Sequence, residues 1–392
     1  MFLTVDRSSG LSAFHYAWDK ILEGPDDADL NQRLLEIFPQ EEGGLDERQF
    51  TRLHKCVLGL IGTSLAQELE ISTALLDAPD NLGKSPLFWA SRRGDATAVR
   101  LLLENKADAN FIRKSANPGP NTPLQAAALS GNSQCVELLV RGGAHIETAD
   151  SWGLRALHHA ASANDGNGSL ENLLGAGANI DAQDNEGRTA LLMAAQNGML
   201  SNAALILKHG ASMELSENEG WTPLLSCLFW NMHDSIRWLL HNGASLSART
   251  GDGDTVLHVA AQYGDVATID ILLEALSNDC HRIDGLIGQG DQLTNTAGQT
   301  PGQIAAARHE TQVDVYWLQK FQGLDEFVLY LLGQISEKSS PVIIEDTGLP
   351  IVSSLTLTME EKRGYIHRVD ISALDDGKSI YEDAVETFEI IN

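Results

Sequence analysis

The sequence predicts an all-α fold, a solenoid of stacked helix-turn-helix units separated by short β-hairpin fingers, followed by a less regular acidic tail. Three observations predict it. A Thr/Ser-x-Leu segment recurs along the chain at a nearly constant interval. Each copy carries its own helix start, and each is closed by a glycine-bounded turn. A period of this length is the mark of an array in which one supersecondary unit is repeated and stacked.

The copies begin at Ser85-Pro-Leu, Thr122-Pro-Leu, Arg155-Ala-Leu, Thr189-Ala-Leu, Thr222-Pro-Leu and Thr255-Val-Leu. Their leucines, Leu87, Leu124, Leu157, Leu191, Leu224 and Leu257, stand 37, 33, 34, 33 and 33 residues apart. A Thr or Ser before the helix accepts a hydrogen bond from a free N–H of the first turn, and proline is tolerated next because its missing N–H would have no partner there. This starts a first helix. Gly94, Gly131, Gly198 and Gly264 then supply a backbone able to turn left-handed, which ends it. A second helix follows in runs such as Val99-Arg-Leu-Leu-Leu, Val136-Glu-Leu-Leu-Val, Ile236-Arg-Trp-Leu-Leu and Ile269-Asp-Ile-Leu-Leu, whose bulky residues fall at helical spacing. Gly143, Gly177, Gly210 and Gly243, each followed by Ala, close it. Turn sequences such as Asp80-Asn-Leu-Gly-Lys and Asp184-Asn-Glu-Gly-Arg lead to the next copy as a protruding finger.

The pattern resembles the ankyrin repeat, with its 33-residue period and its T-P-L-H-x-A signature. The resemblance implies six repeats over 80–276. It also implies a degenerate repeat over 50–79, around Phe50-Thr-Arg-Leu-His54, and an insertion with a capping repeat over 277–332, around Gln299-Thr-Pro-Gly. The signature histidine stands at His54, His158 and His258 and is replaced by Phe88, Gln125, Leu192 and Leu225, repeats expected to lack a polar brace. Asn164-Asp-Gly-Asn-Gly-Ser, between the helices of the third repeat, is glycine-rich enough to predict looseness. Residues 1–49 read as a divergent helical cap. An alternative left open is that the chain is a fragment of a larger polypeptide. Residues 333–392 combine strand-favouring runs with acidic clusters, consistent either with a partly ordered solubilising tail or with a segment that folds on a partner.

Composition narrows the function. With 54 acidic against 27 basic residues the formal charge is -27, which disfavours direct contact with nucleic acid or anionic lipid. Cys56, Cys135, Cys227 and Cys280 form no C-x-x-C pair and suit a reducing interior. No signal-peptide or membrane-spanning run is present in the sequence, so a soluble intracellular protein, monomeric on its own, is expected. His158 and His159 are neighbours on a helix, point apart and have no third ligand at suitable spacing. Gly285-Leu-Ile-Gly-Gln-Gly lacks the Lys-Ser/Thr of a phosphate loop, and Gly251-Asp-Gly-Asp-Thr lacks the closing glutamate of a calcium loop. No nucleophile and base arrangement is found, so no enzyme, cofactor or metal is expected.

In ankyrin arrays the finger tips and the exposed side of the first helices line a concave groove. The resemblance therefore implies a partner-binding surface made by Trp152, Leu154, Glu186, Arg188, Trp221, Phe229, Trp230, Asp252, Gln262 and Tyr263. Large aromatic side chains are the usual anchors of such surfaces. Trp152 and Trp221 are expected to be exposed, while for Phe229 and Trp230 the helix phase leaves exposure and packing between repeats both open. The expected function is that of a protein-binding adaptor. The alternatives are a transcriptional co-regulator acting through a DNA-binding partner and the sensor half of a larger signalling polypeptide.

Overall fold

The computed structural model describes residues 49–112, 119–278, 293–311 and 320–322. The predicted N-terminal cap up to residue 48, the acidic tail predicted over 333–392, and the glycine run at Gly285 lie outside them. The described chain is a succession of helix pairs: α1 Arg52–Val57 with α2 Leu65–Ile71, α3 Pro86–Arg92 with α4 Ala96–Glu104, α5 Pro123–Leu129 with α6 Ser133–Arg141, and α7 Ala156–Ser162 with α8 Asn167–Gly175. Next come α9 Ala190–Gln196 with α10 Leu200–Lys208, α11 Pro223–Phe229 with α12 His233–His241, α13 Val256–Tyr263 with α14 Val266–Asn278, and α15 Pro301–Thr311. First helices pack on first helices from α1 through to α15, and second helices form a parallel row behind them.

Local chemistry accounts for the helix ends. The Thr122, Thr189 and Thr222 hydroxyls accept from the N–H groups of Gln125, Leu192 and Leu225, and Ser85 accepts from Phe88. Gly94, Gly131 and Gly198 have φ near +70°, as a left-handed stop requires. Gly264 departs from that expectation. It is extended, at φ -63° and ψ 146°. Glycine is needed there for closeness, because a Cβ would lie 2.6 Å from the Ala260 carbonyl oxygen.

Burial then joins the units. The first helices are rich in alanine, with Ala126, Ala127, Ala160, Ala161, Ala194, Ala260 and Ala261 fully buried, so neighbouring backbones approach closely. Leucines at the marker position fill the space between the two rows, from Leu87 to Leu257, each no more than 2% exposed. Two apolar clusters result, one from Phe50 to Ala211 and one from Ala195 to Phe321, with Met213 and Trp238 packed against both.

The fingers are turns more than strand pairs: isolated bridges join Gln183 to Thr189 and Arg249 to Thr255. Four of them are tied by their first side chain. Asp80, Asp150 and Asp184 accept, through Oδ1, two backbone N–H groups two and four residues on, as Asn295 does in the last finger. Adjacent fingers also bond to each other, Asn185 N–H to the Trp152 carbonyl, Asn218 to Glu186, Gly251 to Glu219 and Thr296 to Asp252.

The signature histidines hold consecutive repeats together. Nδ1 of His54, His158 and His258 accepts the N–H of Thr51, Arg155 and Thr255 at 3.1–3.2 Å. The proton is thereby assigned to Nε2, which donates to the carbonyls of Lys84, Ala182 and Gln299 in the following finger at 2.9–3.0 Å. Burial lowers the pKa of all three rings, so the neutral form is favoured.

Two expectations are corrected. Gln125 does not leave its repeat without a brace: its Oε1 accepts the N–H groups of Asn121 and Thr122, and its Nε2 donates to the carbonyls of Thr148 and Leu154. An amide carries an acceptor and a donor at opposite corners, as neutral imidazole does. Phe88, Leu192 and Leu225 are simply buried. The glycine run of the third repeat is not loose either. Helix α8 begins at Asn167 inside that run, and a Cβ at Gly166 would lie 2.0 Å from the Ala160 carbonyl oxygen, while one at Gly168 would lie 2.7 Å from Ser133 Cβ. The amide of Asn202 fills the space beside them, donating to the carbonyls of Ala160, Ala161 and Ala163. Glycine serves close packing here.

Candidate interaction face

The residues that could meet a partner come from two registers of the repeat. One is the finger, where the position before the tip glycine is Leu82, Trp152, Glu186, Glu219, Asp252 and Ala297 in turn, and the position after it is Lys84, Leu154, Arg188, Trp221, Asp254 and Gln299. The tip glycines Gly153, Gly187 and Gly220 have φ between +81° and +84°, and a Cβ on any of them would come within 2.8 Å of the next finger's backbone. The side chains flanking them are therefore held at a fixed spacing. The other register is the carboxyl end of each first helix, where Phe229, Trp230, Gln262 and Tyr263 stand.

Four of the expected aromatics come together. Phe229 is the centre: its ring lies 5.4 Å from Trp221, 4.9 Å from Trp230 and 4.4 Å from Tyr263, edge-on to both tryptophans and tilted to the tyrosine. Such geometry suits the ring quadrupoles. Phe229, Trp221 and Tyr263 are half-buried, and Trp230 stands against Phe229, 63% exposed. Both open alternatives are thus realised by adjacent residues. Trp221 is less exposed than expected, because its indole closes over Phe229.

Next to this cluster lies an open depression of about 550 Å³ lined by Asp252, Asp254, Gln262, Asn295, Arg308 and neighbours from α15. Gln262 and Asp252 are exposed. Arg308 donates to the carbonyls of Ala261 and Gly264.

The remaining expected residues lie one or two repeats away. Trp152 is 48% exposed at its finger tip. Leu154 is corrected: it is 6% exposed, its N–H is held by Asp150, and it belongs to the interior. Glu186 is exposed, but the Arg188 guanidinium is committed to Asp184 at 2.7 Å and Glu186 at 3.0 Å. Beside it, burial pushes the Glu217 carboxyl above its usual range, with Glu186 and Glu219 reinforcing the shift and Arg188 opposing it. Glu219 and Asp254 were not singled out from the sequence. The repeat register would have found them, since they occupy the positions of Asp252 and Trp221.

Nothing described resembles a reaction centre. The Cys135 and Cys227 thiols are pushed up to about 12 by burial, far from a nucleophilic thiolate. His159 pairs with buried Asp150 at 3.1 Å, and that carboxylate is spent on the finger turn. Among the described residues no group of three or more His, Cys, Asp or Glu is placed to hold a metal ion. None of the described helices is long and apolar enough to cross a membrane.

Parts of the chain are similar in sequence to known proteins. The chain is 31% identical over 153 residues to the transient receptor potential cation channel subfamily A member 1 homolog of Caenorhabditis elegans, a match over 39% of this chain and 12% of that protein. It is 38% identical over 72 residues to the Notch-regulated ankyrin repeat-containing protein of Homo sapiens, covering 18% of this chain and 63% of that one. The chain therefore spans less than two thirds of either relative. Among solved structures, the ankyrin repeat domain of Bcl-3 aligns with a TM-score of 0.48 at 27% identity, over 58% of this chain and 99% of that one. Models of ankyrin repeats in three copies match residues 53–150, 87–168 and 157–250, and a model of many copies matches 229–273. With more than half of its length so matched, and helix pairs, finger turns and histidine braces at the matching positions, the chain belongs to the ankyrin-repeat family.

Proposed function

We propose that this protein is a binding scaffold that holds a partner polypeptide along the finger tips and the exposed ends of the first helices, centred on the fifth and sixth repeats. The observation that carries the reading is Trp230. Its indole is 63% exposed and rests on the Phe229 ring, which Trp221 and Tyr263 pack in turn. Leaving so large an apolar side chain in water forgoes roughly 1.5–3 kcal/mol of burial, and a rigid ring on a packed base loses little entropy when covered. Trp152, Glu186, Asp252, Gln262 and Tyr263 extend the same face, with Trp221 and Phe229 as its floor. Arg188 contributes through its ion pairs, and Leu154 supports the face from below.

Immobilised full chain and its Trp230→Ala variant, used to capture proteins from source lysate and followed by calorimetry on the partner found, test the reading. The variant is expected to bind at least about tenfold more weakly, or about 1.4 kcal/mol, with an unchanged melting temperature. A partner that binds both forms equally uses another face, and the proposal then fails.

A further inference from the structure

We infer that the face around Trp230 selects a basic polypeptide segment, rich in arginine or lysine, an inference that rests on the scaffold reading above. The aromatic floor supplies the first part of the argument. Trp230 meets Phe229 edge-on, at 80°, and remains 63% exposed. A π-face open to solvent attracts a cation above it, and guanidinium adds stacking to that attraction. Among the described residues a cation already sits over a ring, with the Lys84 ammonium 4.5 Å above the Phe88 ring.

Charge supplies the second part. The finger positions beside the aromatic floor carry Glu217, Glu219, Asp252 and Asp254, and Glu186 stands on the finger before them. Arg188 is shared between Asp184 and Glu186, and the Glu217 carboxyl, raised mainly by burial and lowered by Arg188, is pushed further up by Glu186 and Glu219. The depression next to Tyr263 is walled by Asp252 and Asp254, and its one arginine, Arg308, is turned to two backbone carbonyls. An acidic partner would be repelled along this row, while a basic one gains both in steering and in bound contacts. The finger carboxylates repeat every 33 residues along the stack, so an extended segment meets them in series. Residues 333–392 of this chain, acidic themselves, are poorly suited to the site.

Fluorescence anisotropy on the full chain tests this with labelled dodecapeptides of four Arg-Leu-Gly units, and with counterparts in which Lys, Ser or Glu replaces Arg. The Arg peptide is expected to bind at least about tenfold more tightly than the Ser peptide, with the Lys peptide between them and the Glu peptide weakest. Trp230→Ala should weaken the Arg peptide about tenfold. Glu219→Gln with Asp252→Asn should flatten its salt dependence. Both variants are expected to keep the helical circular dichroism of the parent chain. Equal or tighter binding of the Ser or Glu peptide that is still lost in Trp230→Ala overturns the charge selection and leaves the scaffold reading standing. Absence of any Trp230-dependent peptide binding also overturns the inference, while the lysate partner decides the scaffold reading separately.

Discussion

The third and fifth repeats meet the same architectural demand with opposite chemistry. In the third, polar groups turn inward: His158 bonds forward to Ala182, His159 holds Asp150, and Gly166 lets its backbone close on Ala160 beneath the Asn202 amide. In the fifth, Leu225 takes the place of His158, and the helix ends in Phe229 and Trp230 where the third repeat ends in Ser162 and buried Ala163. The stacking is the same in both. What differs is the use made of the helix end: one repeat is committed to holding its neighbours, and the other leaves apolar surface free. Under the proposed scaffold reading, stability and binding are separated along the array, which a solenoid permits because each repeat touches only its neighbours.

Substitutions should sharpen that separation, and the largest effect is expected from Gly166→Ala. Its Cβ would overlap a backbone oxygen that cannot move away, so a loss of about 3 kcal/mol or more is expected in chemical denaturation. Gly175→Ala, in the same helix with nothing within 4 Å of its added Cβ, should instead stabilise by about 0.5–1 kcal/mol. Equal responses at the two positions would mean that the glycine run is not a packing device.

Removing the histidine brace comes next. His158→Leu strands the Arg155 N–H and the Ala182 carbonyl, at an expected cost of about 2 kcal/mol. His158→Gln, imitating the arrangement at Gln125, should lose less than half of that. The fifth repeat, with leucine already in place, has no equivalent loss to show.

The aromatics of the fifth repeat reverse the pattern. Trp230→Ala should change stability by less than about 0.5 kcal/mol, as exposed positions do. Trp221→Ala, which uncovers Phe229, is expected to cost about 1–2 kcal/mol. A Trp230→Ala variant as unstable as Trp221→Ala would place both in the core and end the comparison.

Acid gives the smallest effect. The folded His54, His158 and His258 have pKa values below the ordinary 6.5, so between those values and 6.5 the unfolded chain binds protons that the folded chain does not. Stability is then lost as the pH falls through this window. The melting temperature should drop between pH ~7.5 and ~5.5, and by less in His158→Gln. A drop of the same size in that variant would assign the acid sensitivity to other groups.

Most of the architecture was legible because its signals are local. A Thr-Pro pair caps whichever helix follows it, a tip glycine turns whichever finger holds it, and the leucine marker recurs with the unit. The interaction face was legible only in part. Trp152, Asp252 and Gln262 stand at the surface as the family pattern implies and Trp230, left open by helix phase, does so too, whereas Leu154 shares a register with the half-buried Lys84, Arg188, Trp221 and Asp254 and yet turns inside. Glu219 and Asp254 were missed for want of applying the register evenly. Composition misread the Asn164–Ser169 run, because a glycine that allows flexibility and a glycine that allows contact are the same letter.

The sequence by itself determined the repeat, its period, the boundaries of its helices and its acidic character, since these depend on interactions within some ten residues or on simple summation. Only the tertiary structure decided that Gln125 does a histidine's work, that Gly166 is wedged against Ala160, and that Trp221, Phe229, Trp230 and Tyr263 form one platform. The Gln125 amide reaches 29 residues to Leu154, the Asn202 amide that closes over Gly166 reaches back 42, and Tyr263 joins Phe229 from the next repeat; the free energy of such contacts exists only once the intervening chain has stacked.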